Sequence, residues 1–369
     1  MIQNRKIYLD VMKFFAIVLV VFGHCMQKYV NNYTNTIIYN FIWLFQMPAF
    51  FFVSGYLHVK EEKVTTAKDM WKYVFKRFKA YFIPIVTFIL LDSIITKNYS
   101  SFNGLLLIIK DRVMQWPFNI QTSLWFLFAL MTYSIYSIFV TYVLSKQNSR
   151  TKKIIIGIIS LCLFEAIFLA FFYFINGAFL GSKLVVYYSI YFVFGYIFER
   201  FENNDIFTNF KSKIDLNLIL CIVSGIISLC ICIFVSDIAS FDDNNILQLC
   251  IRVLGSIMTV LFVFLLLKIL LKSKEKSFVS KLGQYTLEIY YIHVILYNLD
   301  IFNGAAPNYY ESVFDQWKIA IISFVIMLIC SYIINFAIQY IPYLHYAIFG
   351  TKENKLNLFK NKEVQQCKN

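Results

Sequence analysis

The chain has 369 residues, of which 59% are hydrophobic and only 15% are charged, and its mean hydropathy is +0.64. Soluble domains contain roughly 45–50% apolar and about 25% charged residues, so this composition excludes an ordinary soluble protein and predicts an all-α, polytopic membrane helix bundle. The net charge of +13 does not require a nucleic-acid partner, because loop lysines and arginines interact with anionic membrane lipids.

Ten apolar runs are long enough to cross a bilayer. They cover residues 8–26, 37–57, 80–96, 123–144, 154–175, 184–199, 216–235, 246–271, 283–301 and 317–341. If the N-terminus is cytoplasmic, the inner segments hold 26 lysines and arginines and the outer segments hold five. This asymmetry predicts about ten transmembrane helices with both termini in the cytoplasm.

The predicted domain layout is a transmembrane domain over residues 1–349 followed by a basic cytoplasmic tail over 350–369. We expect a multi-pass protein of a plasma (inner) membrane, in a bacterium. The eight cysteines form no CxxC pair and have no metal-ligand spacing with the histidines, which predicts free thiols and no metal site.

The first apolar run carries three ionisable side chains, which are costly inside a membrane and therefore indicate a candidate site. Asp10, Lys13 and His24 share one helix face, because 11 positions rotate a helix by about 1100° and leave Lys13 and His24 only about 20° apart. A neutral imidazole accepts a proton from a hydroxyl or attacks a carbonyl itself. His24 is thus the candidate catalytic residue, supported by Lys13 and Asp10. The alternative is a histidine bonded to the carbonyl of a neighbouring helix.

The second span ends with two small residues that have two interpretations. Ser54 and Gly55 lie close to the predicted depth of Lys13, where they are candidate site residues. Small residues at such a place also allow two helices to pack closely.

The next segment, residues 71–79, mixes aromatic and basic side chains. This pattern is typical of an amphipathic helix on the inner membrane surface. Its cations Lys72, Lys76 and Arg77 also suit a polyphosphate ligand, because ammonium and guanidinium groups pair well with phosphate.

Several later spans contain polar residues whose burial needs a partner. Glu288 and His293 lie in one span, but five positions rotate a helix by about 140°, so each should face a different neighbour. Glu165 and Arg252 are further charges in apolar runs, and either could belong to a structural ion pair. Asp92 lies near an outer boundary, where water can solvate it.

These segments together resemble the membrane-bound acyltransferase-3 family, within it the branch of fucose 4-O-acetylase-like sugar O-acetyltransferases. The resemblance covers roughly residues 5–345 and begins with Lys13, ten intervening residues and His24. Many members have arginine at the position of Lys13, and lysine lacks the planar fork of arginine. The other matching motifs are Met47-Pro48, Phe51-Phe52-Val53-Ser54-Gly55-Tyr56, Lys76-Arg77 before Pro84, Leu124-Trp125-Phe126-Leu127, and Leu282-Gly283 through Ile289-Tyr290 to His293.

The resemblance implies transfer of an acyl group, usually acetyl, from cytoplasmic acyl-CoA to a hydroxyl of an extracytoplasmic or lipid-linked sugar. No permanently bound cofactor is implied, since acyl-CoA is a co-substrate. The implied donor-binding residues are Lys72, Lys76, Arg77, Ser54, Gly55 and Tyr56, and those of the acceptor or its pocket are Trp125, Glu288, His293 and Arg252. His24 would act as general base, or form an acyl-imidazole intermediate.

Two other functions remain open from the sequence. A transporter, flippase or polymerase of polysaccharide biosynthesis would share the composition, although repeated halves and matching broken helices, which transporters often have, are not recognisable. A membrane scaffold or sensor would use the buried charges only for structure.

Overall fold

A computed structural model describes residues 6–58, 60–95, 101–115, 125–175, 179–202, 216–235, 238, 246–271, 278–299, 312–341 and 343–351. Within these ranges the regular structure is helical and contains no strand. The helices are α1 (Ile7–Tyr29), α2 (Ile37–Tyr56), α3 (Ala67–Ile95), α4 (Phe102–Gln115), α5 (Trp125–Ser145), α6 (Arg150–Ala170), α7 (Ser182–Glu202), α8 (Leu216–Phe234), α9 (Ile246–Leu270), α10 (Phe278–Leu282), α11 (Thr286–Asn298), α12 (Val313–Tyr340) and α13 (Leu344–Phe349). The prediction of an all-α polytopic helix bundle is confirmed. The proposed tail lies almost wholly outside the described residues.

Helix starts in this bundle are set by short polar side chains that accept hydrogen bonds from the first free backbone N–H groups. Thr36 caps α2 by accepting from the backbone of Tyr39. Ser149 does the same for α6, and Ser312 for α12. Serine and threonine residues in the turns therefore determine where these apolar helices begin.

Eight helical segments of the described chain are long and apolar enough to cross a membrane. They are Ile7–Tyr29, Ile37–Tyr56, Trp125–Ser145, Arg150–Ile175, Phe179–Glu202, Leu216–Phe234, Ile246–Leu270 and Val313–Tyr340. The other two predicted spans correspond to the second half of α3 and to α11, which has 13 residues. The basic segment 71–79 is continuous with the span that follows it, because both belong to the 29-residue helix α3.

The centre of the bundle is α2, most of whose residues are buried. Its C-terminal half meets α7 at two glycines: a Cβ added to Gly55 would lie 2.0 Å from the carbonyl oxygen of Phe192, and one added to Gly195 would lie 2.1 Å from that of Phe52. Glycine at both positions therefore lets the two backbones touch. At the periphery, α6 exposes almost its whole length.

Side-chain contacts join the helix ends that the charge pattern assigns to the inner side. The Tyr56 hydroxyl at the end of α2 accepts a hydrogen bond from Lys6 and donates one to Glu202 at the end of α7. Glu202 also pairs with Lys268 at the end of α9. Four helix ends are thus tied together on one side of the bundle.

On the opposite side, Asp92 of α3 forms an ion pair with Arg112 of α4. Its other carboxylate oxygen accepts a hydrogen bond from Asn298 at 3.0 Å. Asp92 is therefore bonded within the protein. Glu165 is half-buried, and its Oε1 lies 3.4 Å from the hydroxyl of Tyr133, which also donates to the carbonyl of Val185 at 2.7 Å.

The seven described cysteines, Cys25, Cys162, Cys221, Cys230, Cys232, Cys250 and Cys330, are free thiols. Cys25, Cys221 and Cys232 are buried, whereas Cys162, Cys230 and Cys250 are exposed on the surface of the bundle.

Candidate active site

His24 lies near the C-terminal end of α1 and is only partly buried. Its Nδ1 atom is 3.0 Å from Oε1 of Gln27, one turn later in the same helix. The amide nitrogen of Gln27 donates to the hydroxyl of Tyr39 on α2 at 2.5 Å. With the amide in this orientation, its oxygen faces His24, so Nδ1 carries the proton and Nε2 of the neutral ring keeps its lone pair. His24 is therefore set up as a base through Nε2.

A second imidazole, that of His293 on α11, faces His24. The two ring centroids are 5.6 Å apart and the ring planes are inclined by 30°. Nδ1 of His293 lies 3.1 Å from the carbonyl oxygen of Ile289. A carbonyl oxygen can accept a hydrogen bond but cannot donate one, so Nδ1 bears the proton here too. Nε2 of His293 is buried and has no hydrogen-bond partner among the described residues. A buried acceptor without a donor is costly and marks a candidate site for a ligand.

Aromatic and small residues shape the space around the two histidines. The ring of Tyr297 lies 5.5 Å from that of His24, and the ring of Tyr290 lies 5.4 Å from that of His293. On the side of α2, a Cβ at Gly23 would lie 3.1 Å from Ile42 and 3.5 Å from Oε1 of Gln46. This amide oxygen is also buried without a described partner. The surroundings thus present hydrogen-bond acceptors to any bound molecule.

The other two polar residues of α1 pair with each other. Asp10 and Lys13 form an ion pair of 2.8 Å, in which Asp10 is buried and Lys13 is partly exposed. A Cβ at Gly283 would lie 1.8 Å from the carbonyl oxygen of Asp10, so the turn after α10 packs directly on α1 beside this pair. Because 11 residues span about 16 Å of helix, Lys13 acts on His24 only through the electric field.

The predicted donor-binding residues are distributed over two places. Gly55 contacts the backbone of α7, and Ser54 beside it is partly buried. Tyr56 belongs to the inner-side cluster with Lys6, Tyr8, Glu202 and Lys268. Burial lowers the pKa of Lys6, although the charge of Glu199 works in the opposite direction.

The three cations of α3 are separate from this cluster. Lys72 and Lys76 are exposed and Arg77 is partly buried. Among the described residues, none of the three side chains forms an ion pair or a hydrogen bond. They are therefore free to meet a soluble anion.

The predicted pocket residues divide into two groups. Trp125 stacks on Tyr188, with ring centroids 5.1 Å apart. Trp125 also contacts Phe126, whose ring lies 4.7 Å from that of Tyr290, and Tyr290 touches His293. These aromatic rings connect Trp125 to the histidine pair, and Arg252 is buried on α9.

Glu288 faces elsewhere. Its Oε1 atom lies 3.7 Å from Nε2 of His345 on α13, whereas His293 on the same helix faces His24. The prediction that Glu288 and His293 have different neighbours is confirmed. Glu288 thus connects α11 to the last described helix.

Several residues of the site were not found from the sequence. Gln27 had a signal, since it lies three positions after His24 on the same helix face. Tyr39, Gln46 and Tyr297 had none, because each reaches the site from another span. His345 follows the last predicted span and was not singled out.

The fold and site define a polytopic membrane protein with an imidazole pair inside its helix bundle. The family model described as an acyltransferase domain, that of the acyltransferase-3 family, matches residues 6–336. The chain belongs to this family and is a membrane-bound acyltransferase. A search of curated proteins and a search of solved structures each found no match. Family membership favours acyl transfer over the transporter and scaffold alternatives.

Proposed function

We propose that the protein transfers an acyl group, acetyl from acetyl-CoA, to a hydroxyl of an extracytoplasmic or lipid-linked sugar. The observation that carries this proposal is the pair of facing imidazoles, His24 and His293: Nδ1 of each is bonded within its own helix, and the buried Nε2 of His293 has no partner among the described residues. An unprotonated imidazole nitrogen accepts a hydrogen bond from an O–H or N–H group, and a sugar supplies several O–H groups. A fucose 4-O-acetylase-like acceptor chemistry is consistent with this arrangement.

In the proposed reaction, Nε2 of His24 removes the proton of the acceptor hydroxyl as its oxygen attacks the thioester carbonyl carbon. A carbon–oxygen bond forms and the carbon–sulfur bond breaks. The leaving CoA thiolate takes the proton from the His24 imidazolium, so the products are the ester and free CoA. An acyl-imidazole on His24 is the alternative route, in which the same carbonyl is first transferred to Nε2.

His293 is assigned the role of acceptor-binding residue. Its buried Nε2 would accept a hydrogen bond from a second hydroxyl of the sugar and so orient the reacting one. Trp125, which reaches His293 through the rings of Phe126 and Tyr290, and the buried Arg252 are assigned to the acceptor side. An aromatic face and a guanidinium are groups that suit a polar ring such as a sugar.

The donor is assigned to the opposite side of the bundle. Lys72, Lys76 and Arg77 are free cations suited to the phosphates of CoA, and Lys13 lies deeper along the path to His24. Ser54 and Tyr56 at the same depth of α2 are assigned to the donor as well, and Gly55 between them holds α2 against α7. The Asp10–Lys13 pair would contribute a field that acts on the thioester.

The test is mass spectrometry of surface glycans from cells with and without the gene, looking for the loss of one acetyl group. Cells that carry His24→Ala should give the same loss, because a general base contributes roughly 10²–10⁴-fold to a rate. Asn148→Ala is the control, since Asn148 is exposed in the turn between α5 and α6, away from the site. Retained acetylation in a correctly inserted His24→Ala protein would remove His24 from the mechanism.

A further inference from the structure

An apolar groove lies between α5, α6 and α7, away from the histidine pair. Its volume is about 450 Å³, within the range of about 300–1,000 Å³ typical of ligand sites. The groove walls include Val140, Leu144, Ile154, Leu161, Phe192 and Ile197. Because α6 is on the outside of the bundle and Ile154 is 54% exposed, the groove is open toward the surrounding lipid.

The groove contains unfilled space beside Gly157 of α6. Gly157 lines the groove, and a Cβ added there would have no heavy atom within 4 Å. The other glycine on these three helices, Gly195, is in close backbone contact. The space at Gly157 therefore belongs to the groove and is not a helix-packing site.

One end of the groove is lined by three cations, Arg150, Lys153 and Arg200. Glu61 pairs with two of them, its Oε2 lying 2.5 Å from Lys153 and its Oε1 lying 2.9 Å from Arg200. Arg150 is exposed and forms no ion pair within the described part of the chain. The nearby Glu199 is paired with Lys60 at 3.6 Å. This end of the groove thus has an excess of positive charge.

We propose that this groove binds one anionic phospholipid of the inner leaflet, with an acyl chain between the helices and the phosphate at Arg150. The charge pattern assigns this end of the bundle to the cytoplasmic side, where anionic lipids attract Lys and Arg at about 1 kcal/mol per charge. Arginine pairs with phosphate in a bidentate manner. A soluble phosphate fits the groove less well than a lipid, because it would leave the apolar walls uncovered. A peptide also fits less well, because the apolar walls cannot form hydrogen bonds with its backbone groups.

The test is native mass spectrometry of the whole protein, delipidated and then incubated with equal amounts of phosphatidylglycerol and phosphatidylcholine. We expect a single phosphatidylglycerol adduct in excess over phosphatidylcholine. Arg150→Gln should lower that excess about fivefold, the effect of one charge worth about 1 kcal/mol. Glu61→Gln should raise the excess, because among the described residues Glu61 is the carboxylate that pairs with the groove cations.

Gly157→Trp should abolish the adduct by filling the groove. The matched controls on the same helix are Lys152→Gln and Ile155→Trp, whose side chains are exposed and do not line the groove, and both should retain it. Equal binding of the two lipids, a protein dimer in place of a lipid adduct, or an unchanged adduct in Arg150→Gln or folded Gly157→Trp would overturn the proposal. Thermal unfolding and gel filtration establish that each variant is folded.

Discussion

Nδ1 of His24 and Oε1 of Gln27 lie 3.0 Å apart, one helical turn from each other on α1. The amide holds the proton on Nδ1, and the free Nε2 becomes the basic atom. This contact gives a neutral residue a role in choosing the histidine tautomer, comparable to that of the aspartate which orients the histidine of a catalytic triad.

Gln27→Leu should therefore lower kcat for acyl transfer by about 10-fold, because losing a hydrogen-bond partner that orients a functional histidine typically costs about 10–100-fold. Gln27→Glu should restore most of the rate, since its carboxylate still accepts from Nδ1. The measurement is acetyl transfer in proteoliposomes. Equal activity of the leucine and glutamate variants would show that the contact is only structural.

His293→Phe should make the protein more stable and at the same time weaken binding of the acceptor. The ring is nearly preserved, but the buried, unpaired Nε2 is removed, so the free energy of unfolding should rise by up to about 1–3 kcal/mol. KM for the acceptor should rise because a hydrogen bond to the substrate is lost. Thermal unfolding in detergent measures the first effect and steady-state kinetics the second. A destabilised variant with unchanged KM would contradict the assigned role.

Gly55→Ala and Gly195→Ala should each destabilise the bundle by about 1–3 kcal/mol or more, the usual cost of overpacking. Each new methyl group would lie about 2 Å from a carbonyl oxygen of the facing helix. Gly157→Ala is the control, since it meets no atom and replaces glycine within a helix, so it should be neutral or stabilising by about 1 kcal/mol. Thermal unfolding compares the three variants.

Lys76→Gln and Arg77→Gln should raise KM for acetyl-CoA without a comparable change in kcat. Each removes a free cation assigned to the CoA phosphates, and the effect should weaken as salt screens the interaction. Lys68→Gln is the control, because Lys68 is exposed on the same helix one turn before Lys72. An unchanged KM in both variants would place the donor phosphates elsewhere.

Glu61 should make the fold sensitive to acid. Partial burial works to raise the pKa of its carboxyl, but the hydrogen bonds and charges of Lys153 and Arg200 outweigh this effect and hold the pKa below its usual value. The resulting stability, at most about 1 kcal/mol for a partly exposed pair, is complete above the unfolded pKa of about 4.3. It is lost as the pH falls through the lower, folded pKa.

Thermal unfolding of Glu61→Gln should therefore give a lower Tm than the wild type at pH 7, with the difference disappearing in strong acid. Glu62→Gln is the matched control, because Glu62 is exposed and forms no ion pair with a described residue. A difference in Tm that stays constant at all pH values would show that the effect does not come from the carboxylate.

The sequence predicted the helical architecture because hydropathy and helix length are local properties. The same local pattern brought out His24 with Lys13 and Asp10 on one helix face. It could not show that His293 faces His24, because the angle at which α11 crosses α1 depends on packing against α12 and α3. For the same reason, Tyr39 and Gln46 were not found, and Gly55 had two interpretations until its contact with α7 was known.

The ties that Tyr56 and Glu202 make to Lys6 and Lys268 restrict how the bundle can open. Separating α1, α2, α7 and α9 on that side would break several charged contacts at once, so an outward movement of any one of these four helices is disfavoured.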